Sequence, residues 1–328
     1  MDDDTLFRQL SIPLPLTADF TLPSRAIMSP MEGLMSSPLF FKTAAALDLV
    51  DFWMPPFLGV SSHAVPSPAS LKKKYKLYLD SGKAFCLQIL GHDPPSAAKA
   101  ISHAREIGIK AVNFNFACPS RTVLGSRSGG AVLQDPGLVE KMLLTARKEN
   151  PEMCISMKMR TGFHDFRESR DILHAANNAG CDFVICHART VEEKYMPVSK
   201  EEIRKRMTFL MEQASSLPVI GNGDIVSKED AKLFLSCSCT GVAVARGLLK
   251  TPFLLKRLKG NDLNMEEEED GRKLFLTLFR SMLSGRQGAG TYAECIKLSY
   301  GENSDEFRDA VKFFRERHPE RERKLEKN

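Results

Sequence analysis

The sequence has few of the features that mark secreted, membrane-spanning or metal-dependent proteins. Its eight cysteines include one closely spaced pair, Cys237 and Cys239, and so lack the recurring clusters of a disulfide framework or a zinc site. No run of about 18 apolar residues occurs, and the acidic start MDDDTLFRQL lacks the basic and apolar regions of a signal peptide. We expect a soluble cytoplasmic protein with reduced thiols, no membrane partner and no metal.

Two further absences concern the fold and the partner. No G-x-G-x-x-G motif is present, which argues against a doubly wound dinucleotide-binding sheet. Charge is nearly balanced, with 46 lysines and arginines against 41 acidic residues, so a polyanionic partner is permitted but not required. With 328 residues, 43% of them hydrophobic, the chain is long enough for one barrel-sized domain with an appendage or for two ordinary domains.

Short apolar runs alternate with stretches of helical periodicity, which is typical of βα units and a buried parallel sheet. Helices are predicted to begin near Asp93, Asp135 and Ser227, which are good N-cap residues. The eight predicted strands are 25–31, 49–55, 84–90, 110–116, 153–159, 181–187, 217–222 and 240–245. Eight such units over roughly 230 residues match an α/β fold of the (β/α)₈ TIM-barrel type.

The pattern changes after Gly260. The acidic run NMEEEEDG forms a linker or a first helical turn, and from Arg272 onward the sequence predicts helices without strands. We therefore expect a barrel over residues 1–258 and a small C-terminal helical domain over residues 259–328.

Polar or unusual residues lie where most of the predicted strands end. In a barrel of this type the carboxyl ends of the strands form the open face that carries the active site. Polar groups at the ends of apolar strands are costly unless they have partners, so the pattern indicates a shared site. These residues are Pro30, Met31, Glu32, Gln88, Asn115, Cys118, Lys158, Arg160, His187, Asn222, Asp224 and Arg246.

Three of these signals have two interpretations each. The glycine-bearing stretches GNGDI and ARGLLKTP either bind an anion through backbone N–H groups and Arg246 or merely form tight turns. Lys158, inside an apolar strand, either reaches out of the barrel top or faces an electron-rich ligand. His187 is the weakest signal, because a histidine at a strand end is often only a hydrogen-bonded structural residue.

Cys118 differs from the other cysteines by its surroundings. Pro119 and a glycine-rich loop that could close over a substrate follow it, whereas Cys86, Cys154, Cys181 and Cys186 lie inside apolar runs. A thiol can act as a nucleophile, a metal ligand or a proton donor. The sequence shows no His/Asp pair at a recognisable spacing and no second cysteine nearby, so proton donation fits best.

Taken together, the motifs resemble those of the tRNA-dihydrouridine synthase family. The resemblance rests on SPMEG, LQILGHDP, NFNFACPSRTV with SGGAVLQDP, MKMRTGF, HARTVEEKY, PVIGNGDI and VARGLL, in the family's order, over residues 25 to about 255. It implies an FMN-bound barrel followed by a tRNA-binding helical domain. It also implies that NADPH reduces the flavin, that a hydride passes to C6 of a uracil in tRNA, and that a cysteine protonates C5.

The resemblance also implies roles for individual residues. Cys118 would be the proton donor, and Asn115, Arg160 and Arg189 would contact the substrate. The residues that would line FMN are Pro30, Met31, Glu32, Gln88, Lys158, His187, Asn222, Gly223, Asp224, Ala245 and Arg246. From Gly271 onward the chain has 13 basic and nine acidic residues, which indicates either an RNA-binding surface or a solvated helical face. We expect a monomer.

The sequence departs from the family pattern at four places: Ser36-Ser37, Pro55-Pro56, Ala117 and Ala188. Alanine in place of glycine beside Cys118 is tolerable unless the backbone there has a positive φ. The altered second strand bears on the choice of substrate. Two alternative functions stay open: the same fold could be an FMN barrel that acts on a free small molecule, and the departures permit a non-catalytic RNA-binding relative.

Overall fold

A computed structural model gives the fold of the chain and describes residues 3–32, 38–260, 264–283 and 289–318. Ser36 and Ser37, one of the departures from the family pattern, lie outside the described residues. The strands are β1 (Leu14–Thr17), β2 (Phe20–Leu22), β3 (Ala26–Met28), β4 (Phe52–Trp53), β5 (Leu58–Gly59), β6 (Ala84–Phe85), β7 (Leu87–Leu90), β8 (Ala111–Phe116), β9 (Cys154–Arg160), β10 (Phe183–His187), β11 (Val219–Asn222) and β12 (Gly241–Val244).

Most helices alternate with the strands of the main sheet, while the first precedes them and the last three end the described chain. They are α1 (Asp3–Arg8), α2 (Pro38–Ala46), α3 (Pro68–Lys74), α4 (Lys76–Leu79), α5 (Pro94–Glu106), α6 (Arg121–Gly125), α7 (Pro136–Glu149), α8 (Ser169–Asn178), α9 (Lys200–Gln213), α10 (Lys228–Leu235), α11 (Gly247–Lys250), α12 (Leu254–Leu258), α13 (Met265–Ser281), α14 (Ala289–Tyr300) and α15 (Asp305–Arg317), with 3₁₀ turns at Gln9–Ser11, Gly129–Gln134 and Phe166–Glu168. The predicted N-caps are confirmed, because the side chains of Asp93, Asp135 and Ser227 each accept a backbone N–H of the first turn.

Parallel strands build one curled sheet that forms the barrel. Over the described ranges, eight strands pair in the order β3-β12-β11-β10-β9-β8-β7-β5, and β4 pairs separately with β6. Because β4 also contacts β3, the sheet curls round towards its own first strand. The TIM-barrel-like fold predicted from the sequence is thereby confirmed.

The second barrel strand is split into two short pieces. The sequence predicted one strand over 49–55, but β4 pairs with β6 whereas β5 pairs with β7. Pro55 and Pro56 lie between the pieces and have no N–H to donate to a ladder, which explains the break. The departure from the family pattern at Pro55-Pro56 therefore shortens the strand.

The lower part of the barrel interior is apolar. Side chains of alternate strand residues fill it, and the hairpin of β1 and β2, which the sequence analysis did not predict, packs against them from one end. Phe20 of this hairpin contacts Phe52 edge to face, with 6.4 Å between ring centroids. The buried residues of this floor are Phe20, Leu22, Ile27, Phe52, Met54, Cys86, Ala111, Cys154, Phe183, Ile185, Ile220 and Ala243.

The C-terminal helices pack directly on the barrel. Phe40 of α2 contacts Phe275 of α13 at 5.9 Å between centroids, and the Ser299 hydroxyl of α14 donates to the Leu249 carbonyl at 2.7 Å. The acidic run is the first turn of α13, where Asn264 and Glu267 form a capping box. The buried apolar residues of the barrel exterior and of these helices form one continuous core.

Candidate active site at the barrel mouth

The carboxyl ends of β8 to β11 bring five of the predicted site residues together. In the parallel register Asn115 lies opposite Lys158, while Arg160, His187 and Asn222 lie side by side. Residues paired in a parallel sheet point to the same face, so these side chains share the barrel interior above the apolar floor. The barrel is therefore apolar at its base and polar at its mouth.

A chain of side-chain amides crosses the interior just above the floor. Asn115 Nδ2 donates to Gln88 Oε1 at 3.0 Å, and Gln88 Nε2 donates to Asn113 Oδ1 at 2.9 Å. Asn113 Nδ2 in turn donates to the Ser156 hydroxyl at 2.9 Å. All four side chains are buried, so these bonds satisfy groups that would otherwise be costly to bury. This series of hydrogen bonds fixes the orientation of the Asn115 side chain.

Asn115 holds the backbone that carries Cys118. Its Oδ1 accepts the N–H groups of Ala117 and Cys118, each at 3.1 Å. Ala117 has no positive φ, so the alanine in place of glycine is accommodated without backbone strain. Ala188, the other alanine in place of glycine, likewise has no positive φ, and its N–H donates to the Asn222 carbonyl at 3.0 Å.

The glycine-rich loop packs against Cys118 from the other side. The Gly130 N–H donates to the Cys118 carbonyl at 3.0 Å. Gly129 has φ +60°, and a Cβ there would lie 2.6 Å from Val123 Cγ1 and 3.0 Å from the Cys118 oxygen. Only glycine fits this position without displacing its neighbours. The loop thus fixes the backbone at Cys118.

Cys118 is the most accessible of the cysteines, being half-buried while the others are buried. Burial raises the pKa of several of the others, which keeps them protonated and unreactive: Cys86, Cys154, Cys181, Cys186, Cys239 and Cys295. A thiol with access to the mouth is what proton donation to a bound substrate requires.

Lys158 projects into the mouth without a counter-ion. Among the described residues its ammonium makes no hydrogen bond or ion pair within the chain. Burial lowers its pKa to about 8, and the neighbouring Arg160 guanidinium acts in the same direction, while the thiols of Cys186 and Cys118 act in the opposite direction. An unpartnered ammonium in such a place is adapted to an electron-rich or anionic ligand.

His187 lies within a group of positive charges. Its side chain is 9% exposed, and its pKa is held well below the ordinary value. Burial is the main cause, and the cations that add to it are Lys158, Arg160, Arg189 and Arg246. The imidazole is therefore neutral at physiological pH, with one ring nitrogen that donates a hydrogen bond and one that accepts.

Asp224 opposes part of this positive charge. Its carboxylate accepts hydrogen bonds from Arg189 Nη2 and, at 3.0 Å, from Arg246 Nη2. Burial acts to raise the pKa of Asp224, but the two guanidinium groups outweigh it and hold the pKa below its ordinary value. Gly223 beside it has φ +138°, a backbone conformation that suits glycine. Asn222 Nδ2 donates to the Ala243 carbonyl at 2.6 Å, so its amide is directed towards the next strand.

Arg160 is engaged by backbone carbonyls. Its Nε donates to the Ala117 oxygen at 2.9 Å, and its Nη1 donates to the oxygens of Thr190 and Lys194 at 2.8 and 2.7 Å. Burial lowers its pKa to about 10. The side chain therefore ties the segment before Cys118 to the loop after β10, so that its part in substrate contact, predicted from the resemblance, stays a prediction.

The remaining predicted residues occupy the rim. Met31 is buried, Pro30 and Ala245 are half-buried, and Glu32 is exposed. Glu32 is close enough to Tyr75 for its charge to reinforce the effect of burial, which raises the pKa of that phenol. All of them follow β3 or β12, and these positions agree with a site that spans the whole mouth.

Sequence reasoning missed several residues that shape the site. Asn113 and Ser156 belong to the amide chain, and the alternation of asparagine and phenylalanine in NFNF was a usable signal, because it places both asparagines on one face of β8. Tyr195 is 63% exposed and lies between Arg160 and Arg246, whose guanidinium carbons are 5.7 and 5.5 Å from its ring centroid. No local pattern distinguished Tyr195.

An ion-pair clamp holds the loop that carries Arg189 and Tyr195. The Glu193 carboxylate accepts Arg206 Nη1 at 2.6 Å and Nη2 at 2.8 Å, and it also accepts the Thr190 N–H at 2.8 Å. A bidentate pair of this kind has a defined geometry. The clamp joins the loop to α9, and its residues are too far apart in sequence to be predicted as partners.

Within the ranges the structure describes, no helix has the length and apolar character needed to cross a bilayer. In the same ranges no three His, Cys, Asp or Glu side chains gather as metal ligands would.

Comparison with known proteins places the chain in a family. The family model "Dihydrouridine synthase (Dus)" matches residues 60–286, more than half of the chain. The chain is 31% identical over 251 residues to a tRNA-dihydrouridine(16) synthase of Haemophilus ducreyi, covering 75% of this chain and 76% of that protein. It is 29% identical over 247 residues to the protein of the same name from Escherichia coli K12, covering 74% and 77%.

Solved structures with the same fold are more distant in sequence. The old yellow enzyme of Trypanosoma cruzi superposes with a TM-score of 0.55 at 11% identity, over 85% of this chain and 99% of that one. Morphinone reductase superposes with a TM-score of 0.52 at 13% identity, over 81% and 92%. These similarities concern the barrel fold, whereas the family match and the sequence identities go further: the chain belongs to the dihydrouridine synthase family.

Proposed function

We propose that this protein reduces the C5–C6 double bond of a uridine in tRNA, with FMN as its bound flavin and NADPH as its reductant. The observation that carries the proposal is the arrangement of the mouth, where the accessible Cys118 and the unpaired ammonium of Lys158 belong to neighbouring strand ends. Family membership and the names of the relatives support the same reaction.

The residues of the mouth fit FMN. Lys158, Arg160, Arg189 and Arg246 surround His187, whereas Asp224 supplies a carboxylate to the two last-named arginines. A phosphate-bearing ligand would compensate the excess positive charge. We propose that Arg246 with the backbone at Gly223 and Asp224 holds the phosphate, and that Lys158 contacts the electron-rich edge of the flavin. We further propose that the lining includes Pro30, Met31, Glu32, Gln88, His187, Asn222 and Ala245.

When bound and reduced, the flavin would supply the hydride that C6 of the uracil receives. The chain's own contribution is the proton: Cys118 Sγ–H donates to C5, so that one hydride and one proton saturate the double bond, and the thiolate then regains a proton from solvent. Asn115 keeps Cys118 at the mouth through the two backbone hydrogen bonds. Arg189 and Arg160, with Asn115, would orient the base.

The relatives suggest which uridine is reduced. Both proteins described above carry the name tRNA-dihydrouridine(16) synthase. We propose uridine 16 of tRNA as the target. A base inside folded RNA must leave its stack to enter the barrel mouth, at a cost of about a few kcal/mol that contacts with the rest of the RNA must offset.

We propose the division into a catalytic barrel over residues 1–258 and a helical tRNA-binding domain over residues 259–328. We also propose that the protein acts as a monomer in the cytoplasm, where its RNA substrate would be available.

One experiment tests the reaction. Purified protein is mixed with FMN, NADPH and tRNA from cells that lack dihydrouridine synthases, and modified positions are then mapped. The proposal predicts dihydrouridine at position 16 in an NADPH-dependent reaction. Rapid NADPH oxidation driven by a free pyrimidine or enoate without RNA would instead favour a small-molecule reductase. A protein that binds RNA but takes up no flavin would be a non-catalytic relative.

A further inference from the structure

The net positive charge of this protein lies in the barrel segment, residues 1–258. Residues 259–328 contain 14 lysines and arginines and 15 aspartates and glutamates, because the acidic first turn of α13 outweighs the basic residues that follow. The segment has a net charge of −1, while the whole chain has +5. We therefore expect most of the net electrostatic attraction for the RNA phosphate backbone to come from the barrel.

The charge is concentrated on one side of the barrel exterior. Helices α2, α3, α4 and α5 together have seven lysines and arginines against one glutamate, a net charge of +6. Helices α7, α8, α9 and α10 have ten against eight, a net charge of +2. We name the exposed lysines of the first group the lysine face: Lys42, Lys72, Lys73, Lys74, Lys76 and Lys99.

Most of the lysine face has no counter-ion. Among the described residues, Lys42, Lys72, Lys73, Lys74 and Lys99 form no ion pair, while Lys76 pairs with Asp80 at 2.6 Å. Lysines in the last turn of a helix stabilise the helix dipole, which accounts for part of the α3 run. That explanation does not apply to Lys42 and Lys99, which lie in the middle of α2 and α5.

The helices that carry the lysine face pack against one another. Phe41 of α2 contacts Tyr78 of α4 at 4.7 Å between ring centroids, and α3 contacts α5. The inner sides of α3 and α4 bury Leu71, Tyr75 and Tyr78, so the lysines between them are directed outward. The other side of α2 contacts α13 of the C-terminal helices. The lysine face therefore adjoins the C-terminal helices that we propose to bind tRNA.

We propose that the lysine face binds phosphate groups of the tRNA, so that the barrel itself supplies most of the electrostatic attraction for the substrate. This inference rests on the proposed function. Unpaired like charges on adjacent helices repel one another, and a polyanion would relieve that repulsion. Phosphate contacts of this kind position the RNA without reading its sequence.

The test uses the full chain with FMN bound and a fluorescently labelled, unmodified tRNA. Binding is measured by anisotropy over a series of salt concentrations for the wild type and for the triple variant Lys72→Gln, Lys73→Gln, Lys99→Gln. The slope of log Kd against log salt should fall by about 2 to 3, since each lost phosphate contact removes about 0.7 to 0.9. At low salt Kd should rise by about tenfold.

Two further variants control the result. The variant Lys110→Gln, Lys141→Gln, Lys148→Gln removes as many exposed charges around β8 and α7, and it should leave slope and Kd unchanged. The variant Lys72→Arg, Lys73→Arg, Lys99→Arg keeps the charges and should bind as the wild type does. FMN titration by fluorescence quenching should be the same for all variants, which shows that the barrel is intact.

The outcomes separate this inference from the proposed function. A wild type that forms dihydrouridine, with a glutamine variant of unchanged slope and Kd, would overturn the lysine face alone. Equal losses in both glutamine variants would overturn it as well, because binding would then depend on total charge. A wild type that neither binds nor modifies tRNA would contradict the proposed function and this inference together.

Discussion

The side-chain oxygen of Asn115 accepts the backbone N–H of Cys118 at 3.1 Å. A second N–H, that of Ala117, binds the same oxygen, while the amide nitrogen of Asn115 is held by Gln88. The strand end and the thiol therefore form one unit whose position depends on a buried amide. A residue that the family resemblance assigns to substrate contact thus also orders the backbone that bears the proposed proton donor.

Replacing Asn115 by alanine should lower both the free energy of unfolding and the rate of turnover. The change leaves the N–H groups of Ala117 and Cys118 without their acceptor, and a buried donor without a partner costs about 1–3 kcal/mol. We expect the free energy of unfolding in urea to fall by about 2 kcal/mol. Asn178→Ala, at an exposed position on α8, is the control and should change it by less than about 0.5 kcal/mol. If the two variants lost the same free energy of unfolding, the Asn115 hydrogen bonds would not contribute to stability beyond an ordinary surface residue.

Lys158 should make the stability of the flavin-free protein depend on pH in the alkaline range. Its folded-state pKa is about 8 against an ordinary value of 10.5, so the unfolded chain binds more protons between these pH values and stability should rise with pH there. The variant Lys158→Met lacks this group, and its stability should exceed that of the wild type at pH 7 by on the order of 3 kcal/mol.

Urea unfolding of both flavin-free proteins at pH 7 and pH 10 checks this prediction. The advantage of Lys158→Met should shrink at the higher pH, and Lys141→Met, at an exposed position, should show no such trend. In FMN titrations the Lys158→Met protein should bind more weakly. An advantage that stays constant with pH would mean that the ammonium is not buried in solution.

The Glu193–Arg206 clamp should stabilise the loop after β10. Arg206, through its hydrogen bonds, is the main cause of the lowered pKa of Glu193, so the contribution is present above pH 4.5 and is lost as the pH falls through the lower folded-state value. We expect Glu193→Gln to lower the free energy of unfolding at pH 7 by about 1–2 kcal/mol. The difference from the wild type should disappear in strong acid.

An exposed ion pair supplies the comparison for this clamp. The Lys76–Asp80 pair has side chains that are 72% and 59% exposed, so Asp80→Asn should cost less than about 0.5 kcal/mol. Thermal unfolding across a pH series measures both variants. If Glu193→Gln and Asp80→Asn lowered the free energy of unfolding equally, burial of the Glu193–Arg206 pair would not add to its contribution.

Replacing Ala117 by glycine, the residue usual in the family, should not improve the enzyme. Ala117 has no positive φ, so glycine gains nothing in the folded state and makes the unfolded chain more flexible. We expect a loss of about 0.4–1 kcal/mol in the free energy of unfolding, with an unchanged rate of dihydrouridine formation. A large gain in rate would mean that the extra methyl group impedes Cys118.

Much of this architecture was predictable because local rules coincide with the fold. Buried strands are marked by apolar runs, and Asp93 and Asp135 cap helices for the same reason in any protein. The split second strand was not predicted, although Pro55 and Pro56 are breakers that a stricter interpretation of the sequence would have used. The β1–β2 hairpin was missed because its strands are only four and three residues long.

The residues of the candidate site were predictable from the sequence, but their hydrogen-bond partners were not. Its members were predictable one strand end at a time, because the topology brings the carboxyl ends of parallel strands to one face. The hydrogen-bond partners of these residues could not be predicted. Nothing in the sequence near Arg160 indicates that it binds the carbonyls of Thr190 and Lys194, since these contacts depend on the conformation of a loop 30 residues away. The order of the amide chain likewise depends on rotamers that only packing decides.

The central claim is that the thiol of Cys118 delivers the proton to the uracil. Its most direct test is a single-turnover reaction in which Cys118→Ala, loaded with FMN and reduced by NADPH, is mixed with unmodified tRNA. We predict that the variant binds FMN and is reduced as the wild type is, and that dihydrouridine then forms about 10² to 10⁴ times more slowly. Dihydrouridine formed at the wild-type rate would contradict the account.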